Sequence, residues 1–333
     1  MIPEPDSSPA FLPSAALSAK IRGCLLGGAL GDARAHASVG SAVSGTSITA
    51  DTQLALYSLD GLLEAIEWAN EGVGADETAC IWLAYLRWLR GRGVLLPESG
   101  PTPLPRPIDS KPLLQPAGTD GGADLDPDVV SALSTGEMGT RQRPLNTDAN
   151  TPAALVRSAP FGLLPYVGIE TAYKLALDAA SLTHGHPSAR HSAAVFASLV
   201  HGLLAPGATL GSAAAEALVQ ARANGAPELA DQLQAVLDDD GGADAAGPGA
   251  GAPTAEAALA IGLRAALGVE DAAGTAEAIR QAAAAGGAPA AVVTGSLLGT
   301  RYGTPPEPEL EALRERGVIE DIASGFIAAT IAR

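Results

Sequence analysis

Apolar residues recur at helical spacing along most of the chain, and runs with the alternation of a β-strand are short or missing. Residues 51–70 are apolar on most sides, which predicts a central helix. In 190–204 one helix face is formed by Ala193, Phe196, Val200 and Leu203. The pattern predicts further helices at 18–30, 76–90, 128–136, 169–181, 211–223, 226–237, 254–267, 272–284, 290–301 and 308–331, the last broken at Gly317. The predicted fold class is all-α.

Two stretches interrupt this pattern and are predicted to be flexible surface insertions. Residues 97–127 are rich in Pro, Gly and Asp, and residues 238–253, "DDDGGADAAGPGAGAP", are acidic and of low complexity. Since the helices on both sides are similar in kind, neither stretch marks a domain boundary. The prediction is a flexible N terminus over 1–17 followed by a single all-α domain over 18–333.

Composition narrows the possible functions. Hydrophobic residues make up 47% of the chain and aromatic residues only 4%, so the core is expected to consist of Ala, Leu, Val and Ile in closely packed helices. The net charge of −17 argues against nucleic acid as a partner, because such binding needs clustered Lys and Arg. No signal sequence and no apolar run of about 18 residues is visible, so a soluble, cytoplasmic protein without membrane contact is expected.

The two cysteines, Cys24 and Cys80, both lie in apolar runs. Buried, reduced thiols are expected, with a single disulfide as the alternative. The sequence contains no Cys-x-x-Cys pair and no Cys/His cluster, so zinc is not expected.

Near the N terminus, two segments combine a helix boundary with polar residues. In "IRGCLLGGALGDARAH", three glycines permit close approach of another helix, and Gly31-Asp32 is predicted to end this helix. In "SGTSITADTQLAL", Thr49 or Asp51 is predicted to cap the next helix. The same oxygens are of the kind that bind Mg²⁺, so a cap and a ligand are both possible roles.

Three later segments place unusual residues among apolar ones. Arg157 in "AALVRSAPFG" requires an anion, supplied either by a ligand or by a structural ion pair. In "SLTHGHPSARH", His184 and His186 flank Gly185 before a helix that Pro187 can open, which suits an anionic or ribose-bearing ligand as well as a structural role. The segment "AAAAGGAPAAVVTGSLLGTRYG" has a Gly-Gly break, ends near Tyr302 and carries no acidic residue.

These five segments, in this order, resemble the ADP-ribosylglycohydrolase family over about residues 20–330. "GCLLGGALGDA" is similar to the family's G-x-L-x-G-x-x-x-G-D-A and "TADTQLAL" to T-D-D-T-x-x-A. "VRSAPFGLL" is similar to M-R-x-A-P-x-G-L, "LTHGHP" to T-H-x-H/N-P, and the last segment to G-G-D-x-D-T-x-x-x-x-G-x-x-x-G-x-x-G. The resemblance implies an orthogonal α-helical bundle. It also implies a cleft in which two Mg²⁺ or Mn²⁺ ions help to hydrolyse the bond between ADP-ribose and a protein side chain.

The chain departs from the family at the expected metal ligands. Thr49, Asp51 and Thr52 match T-D-D-T, but Ala50 replaces the first aspartate. The two aspartates and the threonine of G-G-D-x-D-T are replaced by Ala288, Ala290 and Ala291. The family's acidic residue after G-D-A falls near Val39, and its glycine-rich loop is here "DANTPAAL". These additional losses favour natural drift over deliberate replacement of residues 50, 288 and 290.

Because Mg²⁺ takes about six oxygens and alanine offers none, a di-metal site is not expected. Thr49 and Asp51 are the residual candidate ligands, with Asp32 farther away. The first hypothesis is a degenerate member that binds ADP-ribose, a related nucleotide or an ADP-ribosylated protein without hydrolysis and without a metal cofactor. Its cleft residues would be Asp32, Thr49, Asp51, Thr52, Arg157, His184, Gly185, His186 and Tyr302.

Two alternatives remain. The first is an active hydrolase with altered chemistry, in which His184 is the acid or base and Asp51 stabilises charge. The second is an interaction protein with a vestigial cleft, whose acidic loops bind a basic partner.

Overall fold

The computed structural model describes residues 14–37, 46–98, 100–113, 125–238, 253–305 and 309–331. These residues form α-helices joined by turns, with no β-strand among them, as predicted; Thr46 and Leu313 form an isolated parallel bridge. The helices are α1 (Ser14–His36), α2 (Ala50–Asn70), α3 (Glu77–Gly91), α4 (Pro127–Leu133), α5 (Ala153–Val156), α6 (Ala159–Gly162), α7 (Ile169–Ser181), α8 (Pro187–Gly202), α9 (Leu210–Ala223), α10 (Pro227–Asp238), α11 (Ala255–Leu267), α12 (Thr275–Tyr302) and α13 (Arg316–Ile331).

At the centre, α1 and α12 pack backbone against backbone. A Cβ atom added to Gly27 would lie 2.1 Å from the carbonyl oxygen of Gly295, and one added to Gly23 would lie 2.1 Å from that of Gly299. Only glycine permits this approach, so the predicted close contact of the first helix is confirmed. The pair fixes where the end of α1 meets the middle of α12.

Helix α1 is longer than predicted at both ends. It begins at Ser14, so residues 14–17 are helical rather than part of a flexible N terminus; residues 1–13 lie outside the described part. The predicted end at Gly31-Asp32 is wrong, because the helix continues to His36. Gly31 fits against the carbonyl of Ala291 and does not act as a stop. Asp32 and His36 therefore lie one turn apart on the same helix.

Helix α12 contains the predicted Gly-Gly break. Gly286 has φ −138° and Gly287 has φ +69°, so the two halves are separated by a kink, and Pro289 lies in the first turn of the second half. By length and hydropathy α12 could cross a membrane, but 67% of the relevant window is buried inside the protein. It is therefore packed as a core helix.

The hydrophobic pattern misplaced some helix boundaries and did not predict two short helices. Helix α13 begins at Arg316, not at 308, and continues through Gly317. The short helices α5 and α6, which surround Arg157, were not predicted. Of the predicted loops, residues 114–124 and 239–252 lie outside the described part of the chain. Cys24 and Cys80 are both buried and free, so the reduced thiols are confirmed and the disulfide alternative is wrong.

The described part of the first insertion is held to α2 and α3 by a partly buried group of charges, here called the clamp cluster: Asp60, Glu64, Arg87, Arg106 and Asp109. Arg87 lies 2.5 Å from Asp60 and 3.4 Å from Glu64, and Arg106 lies 3.0 Å from Asp60. The backbone N–H of Arg106 donates to Asp109 at 2.8 Å. Residues 100–113, the described first part of this insertion, are thereby anchored to α2 and α3.

Candidate functional site

A cavity of about 1080 Å³ lies where the end of α1, the start of α2 and the kink of α12 meet residues 125–153. Most of its described lining residues are polar. The lining residues are His36, Asp51, Leu125, Asp126, Asp128, Asn146, Thr147, Asp148, Ala149, Asn150, Thr151, Pro152, Ala153, Pro253, Thr254, Ala288 and Pro289.

Below the cavity, the start of α2 is tied to α1 through Asp32, which is fully buried. The Asp32 carboxylate accepts hydrogen bonds from Thr49 N at 2.8 Å, Thr49 Oγ1 at 2.8 Å and Thr52 Oγ1 at 2.6 Å. Thr49 is also the N-cap, because its hydroxyl accepts from the backbone N–H of Asp51 at 3.3 Å. Of the two predicted caps, Thr49 fills the role.

Asp51 and His36 flank Asp32 at the cavity wall. Burial, and then the charge of Asp32, raise the pKa of Asp51 to about 7. The side-chain hydrogen bond to Asp32 raises the pKa of His36 to about 9; its Nδ1 lies 3.2 Å from Asp32 Oδ1. At neutral pH His36 is therefore a cation that partly neutralises Asp32.

The residues present do not fit the two metal ions that the resemblance implies. Both threonine hydroxyls and the backbone N–H of Thr49 donate to Asp32, so the lone pairs of the Asp32 carboxylate are largely engaged. Ala50 is 3% exposed, and Ala290 and Ala291 are fully buried in the core. Ala288 reaches the cavity but has no ligand atom. Among the described residues at the end of α1, the start of α2 and the second half of α12, only Asp51 keeps an uncommitted carboxylate, and one carboxylate cannot hold two ions.

Behind the cavity, a chain of four short hydrogen bonds connects Arg157 to Asp126; we call it the relay. Arg157 donates to Thr183 Oγ1 at 2.6 Å, and Thr183 Oγ1 lies 2.7 Å from His184 Nδ1. His184 Nε2 lies 2.7 Å from Thr151 Oγ1, which donates to Asp126 Oδ2 at 2.7 Å.

The two ends of the relay fix its direction. A guanidinium can only donate and a carboxylate can only accept, so each hydroxyl accepts from the Arg157 side and donates toward Asp126. His184 must then carry its proton on Nε2. Burial, followed by the charge of Arg157, lowers the pKa of His184 to about 3, so the ring is neutral and in one tautomer.

Arg157 itself is 1% exposed and has no carboxylate partner among the described residues. It donates to the Ala153 carbonyl at 3.4 Å and lies over the Tyr85 ring, 4.8 Å from the centroid. The structural ion pair suggested by the sequence is not found in the described part of the chain. Arg157 is instead connected to Asp126 through the hydrogen bonds of the relay.

The other predicted residues lie around the cavity rather than in its wall. His186 is the N-cap of α8, with Nδ1 accepting from Ser188 N at 3.2 Å, and Pro187 opens that helix as predicted. Gly185 packs on the segment before the cavity, since an added Cβ would lie 2.6 Å from Thr147 Cα. Tyr302 lies at the opposite end of α12 from the kink and donates to the Val269 carbonyl. The structure does not bring Tyr302 to the cavity.

Sequence reasoning missed several wall residues, notably His36, Asp126, Asp128, Asp148 and Asn150. Asp126-Pro127 carries a local signal, because Asp before Pro is a common helix start, and Asp126 does cap α4. Nothing in the sequence around Asp126 indicates that it lies near His184.

Oxygen or nitrogen atoms of Asp126, Asp128 and His184 lie within 4.8 Å of one another. Both nitrogens of His184 are bonded to threonines, however, and Asp126 Oδ1 accepts two backbone N–H groups. Most of the atoms in this group that could bind a metal ion are therefore already hydrogen-bonded.

Comparisons with known proteins agree with this fold. The sequence model of the ADP-ribosylglycohydrolase family matches residues 13–333. A solved structure described as an ADP-ribosylglycohydrolase-related protein complex is similar with a TM-score of 0.59 at 24% identity; the match covers 95% of this chain and 100% of that one. At that identity the likeness shows the fold alone, and it confirms the predicted all-α class. No curated protein sequence matches the chain.

Proposed function

The chain belongs to the ADP-ribosylglycohydrolase family, and on that premise we propose that it binds ADP-ribose or a related nucleotide in its cavity without hydrolysing it. The proposal combines two properties of the site. The cavity is large and lined by groups that can form hydrogen bonds, which suits a ribose-bearing ligand. The ligand atoms for a catalytic metal pair are missing or already engaged.

The observation that carries the proposal is the closed hydrogen-bonding of Asp32. In a metal site the Asp32 carboxylate would have to direct lone pairs at an ion. Here those lone pairs accept the hydroxyl protons of Thr49 and Thr52, with oxygen–oxygen distances of 2.8 and 2.6 Å. Opening this arrangement would expose buried polar groups, which costs about 1–3 kcal/mol for each group.

A metal-free hydrolase would need a group that takes or gives a proton at the cavity. His184 is fully buried and both its nitrogens are hydrogen-bonded, so it offers neither a free lone pair nor a free proton to a water molecule. This arrangement excludes His184 from the acid or base role that the altered-hydrolase hypothesis gives it, and so supports the binding hypothesis. Asp51, whose pKa is raised to about 7 by burial and by the charge of Asp32, can still exchange a proton at the wall, but without the partner that the altered-hydrolase hypothesis assigned to it.

Calorimetric titration with ADP-ribose, with and without Mg²⁺, tests the proposal. The expected result is binding whose affinity does not depend on the metal. In parallel, incubation with ADP-ribosylated arginine or serine peptides in Mg²⁺ or Mn²⁺ should release no ADP-ribose. Metal-dependent release at about 1 s⁻¹ or faster, a rate ordinary for enzymes, would overturn the non-hydrolysing assignment.

A pair of variants on α12 tests whether the cavity is the binding site. Ala288→Trp places a large ring in the wall and should abolish ADP-ribose binding. Ala284→Trp adds the same ring at an exposed position of the same helix and should leave affinity unchanged. Equal affinity for both variants would place the ligand elsewhere.

A further inference from the structure

The residues that lead into α2 are hydrogen-bonded to a segment near the C terminus of the chain. Thr46 donates its N–H to the carbonyl of Ala312 at 2.8 Å, and its own carbonyl accepts from the N–H of Arg314 at 3.1 Å. These two bonds form the isolated parallel bridge between Thr46 and Leu313. Because α2 begins at Ala50, the pairing fixes the backbone just before the helix enters the cavity wall.

The side chain of Glu315 completes this pairing. Glu315 is 5% exposed, so its carboxylate is buried. Its Oε1 accepts from the hydroxyl of Ser47 at 2.5 Å, and its Oε2 accepts from the backbone N–H of Ile48 at 3.2 Å. Both carboxylate oxygens therefore hold two neighbouring residues that directly precede Thr49, the N-cap of α2.

Glu315 lies just before α13, but only its backbone serves that helix. Its carbonyl accepts from the N–H of Ile319 at 2.9 Å, as expected for the residue that precedes a helix. Such a residue usually turns a short polar side chain back to the first N–H groups of its own helix. The longer side chain of Glu315 reaches residues 47 and 48 instead. Its hydrogen bonds therefore act at the start of α2.

The effect of these bonds reaches the cavity through Thr49 and Asp51. Thr49 donates its N–H and its hydroxyl to Asp32, both at 2.8 Å, and Asp51 follows in the wall. The start of α2 is thus held by Asp32 of α1 on one side and by Glu315 on the other. A shift of about 1 Å in this backbone is enough to spoil the geometry of a contact to a ligand.

A carboxylate is a costly group to place in this position if it serves packing alone. Burial of its charge is unfavourable, whereas an apolar side chain fills the same volume without that penalty. An apolar side chain, however, leaves the Ile48 N–H without the acceptor that it has in Glu315. The specific contribution of Glu315 is therefore the orientation of residues 47 and 48.

We propose that Glu315 is a positioning residue for ligand binding: it holds residues 46–48 so that Asp51 stands in the cavity wall in the orientation that the ligand meets. The inference rests on the proposed function, because the affinity that Glu315 changes is that of the ligand in this cavity. Without the two side-chain bonds, the ligand has to order the start of α2 when it binds, and this lowers its affinity.

Calorimetric titration of three variants with ADP-ribose tests the proposal. Glu315→Ala removes both acceptors and should weaken binding about tenfold. Glu315→Gln should stay within about twofold of the wild type, because the amide oxygen can accept from Ile48 and the amide N–H can donate to Ser47. Glu311→Ala removes the same group from an exposed position in the same segment and should leave affinity unchanged. Equal affinities of Glu315→Ala and Glu311→Ala would overturn the proposal.

Two further variants separate positioning from a general loss of stability. Ser47→Ala removes one donor to Glu315, so it should have little further effect on affinity once Glu315 is alanine. Arg87→Met disturbs the clamp cluster away from the cavity and should leave the affinity of the folded protein unchanged. If Arg87→Met weakens binding as much as Glu315→Ala does, the effect of Glu315 is one of stability and the inference is wrong.

Amide hydrogen exchange without ligand separates failure of this inference from failure of the proposed function. Glu315→Ala should speed exchange at Ile48 and Thr49 about tenfold and leave the second half of α12 unchanged. If exchange rises in this way while the wild type binds no ADP-ribose, the placement of α2 by Glu315 stands and the nucleotide assignment falls. If the wild type binds ADP-ribose but exchange does not rise, the nucleotide assignment stands and this inference falls.

Discussion

Helix α2 carries carboxylates in both of its halves, and the charges around these two sets of carboxylates are opposite in sign. Toward its C terminus, Asp60 and Glu64 belong to the clamp cluster and are met by Arg87 and Arg106. At its N terminus, Asp51 faces a cavity whose described lining includes three more carboxylates and no Lys or Arg. The difference shows that the carboxylates of the clamp cluster are compensated by cations within the fold, whereas those of the described cavity wall largely are not.

The same contrast appears in the influences that shift the pKa of Asp60 and the pKa of Asp51. Burial raises the pKa of Asp60, while Arg106 and Arg87 act to lower it. Burial also raises the pKa of Asp51, but there the next largest influence, the charge of Asp32, raises it further, and His36 opposes both. Asp60 is stabilised as an anion by its neighbours, whereas Asp51 is crowded by another anion.

The largest expected effect comes from breaking the clamp cluster. In Arg87→Met, Asp60 loses the partner at 2.5 Å while Arg87's buried position becomes apolar. Arg106 alone then faces carboxylates that Arg87 also met, so the cluster keeps uncompensated negative charge. We expect the free energy of unfolding to fall by about 3–5 kcal/mol in urea titrations. Arg222→Met, which breaks the exposed pair with Asp231, should cost about 1 kcal/mol or less. Similar losses in both would show that the clamp cluster is not structural.

The next effect concerns the alanines where the family has aspartates. Ala290 is fully buried, and its Cβ lies close to the Gly286 backbone, so Ala290→Asp buries a carboxylate without a partner and should cost about 3 kcal/mol or more. Ala288 lines the cavity, and Ala288→Asp should cost about 1 kcal/mol or less. Thermal unfolding of the two variants measures the difference. Equal stability would mean that the core around Ala290 accommodates an aspartate side chain.

This distinction between the alanines marks the limit of sequence reasoning here. Helical spacing predicted α2, α3 and α7 closely because the burial pattern of a helix is local. The family motifs identified the start of α2 and the kink of α12. They could not show that Ala288 and Ala290 face different surroundings, because that depends on how α12 packs against α1 and α11 after the kink.

The cavity wall was the least predictable part. Asp126 and Asp148 lie in a polar stretch whose composition is typical of a loop. They reach the cavity only because residues 125–151 pack against the turn between α7 and α8, which contains His184. The end predicted for α1 at Gly31-Asp32 was wrong for a related reason. The glycine served a close helix contact rather than a stop, and this hid the placement of His36 beside Asp32.

A smaller effect is expected from interrupting the relay on the side away from the cavity. Thr183→Val removes the acceptor for Arg157 and the donor to His184, both at 2.6–2.7 Å and both buried. Leaving these groups without partners should reduce the free energy of unfolding by about 1–3 kcal/mol. Thr330→Val removes a hydroxyl that only bonds back to its own helix and should cost less than 1 kcal/mol. A Thr183→Val protein as stable as Thr330→Val would contradict the relay.

The smallest predicted effect tests the crowding of Asp51 by comparing Asp51→Asn with the wild type across pH. The pKa of Asp51 is raised from 3.8 to about 7 in the folded protein, so the folded state holds the proton more tightly than the unfolded state. Its contribution therefore favours folding at low pH and is lost as pH rises from about 4 to 7. Asparagine cannot titrate.

The stability of Asp51→Asn relative to wild type should thus increase from pH 4 to pH 8, by about 1 kcal/mol or more. His184, whose lowered pKa gives the opposite trend between about 3 and 6.5, is present in both proteins, so its contribution largely cancels in the difference. The measurement is a set of urea titrations at fixed pH values with Glu228→Gln as the surface control. A difference that stays constant, or that falls with pH, would show that Asp51 is compensated as Asp60 is, and the contrast between the two ends of α2 would disappear.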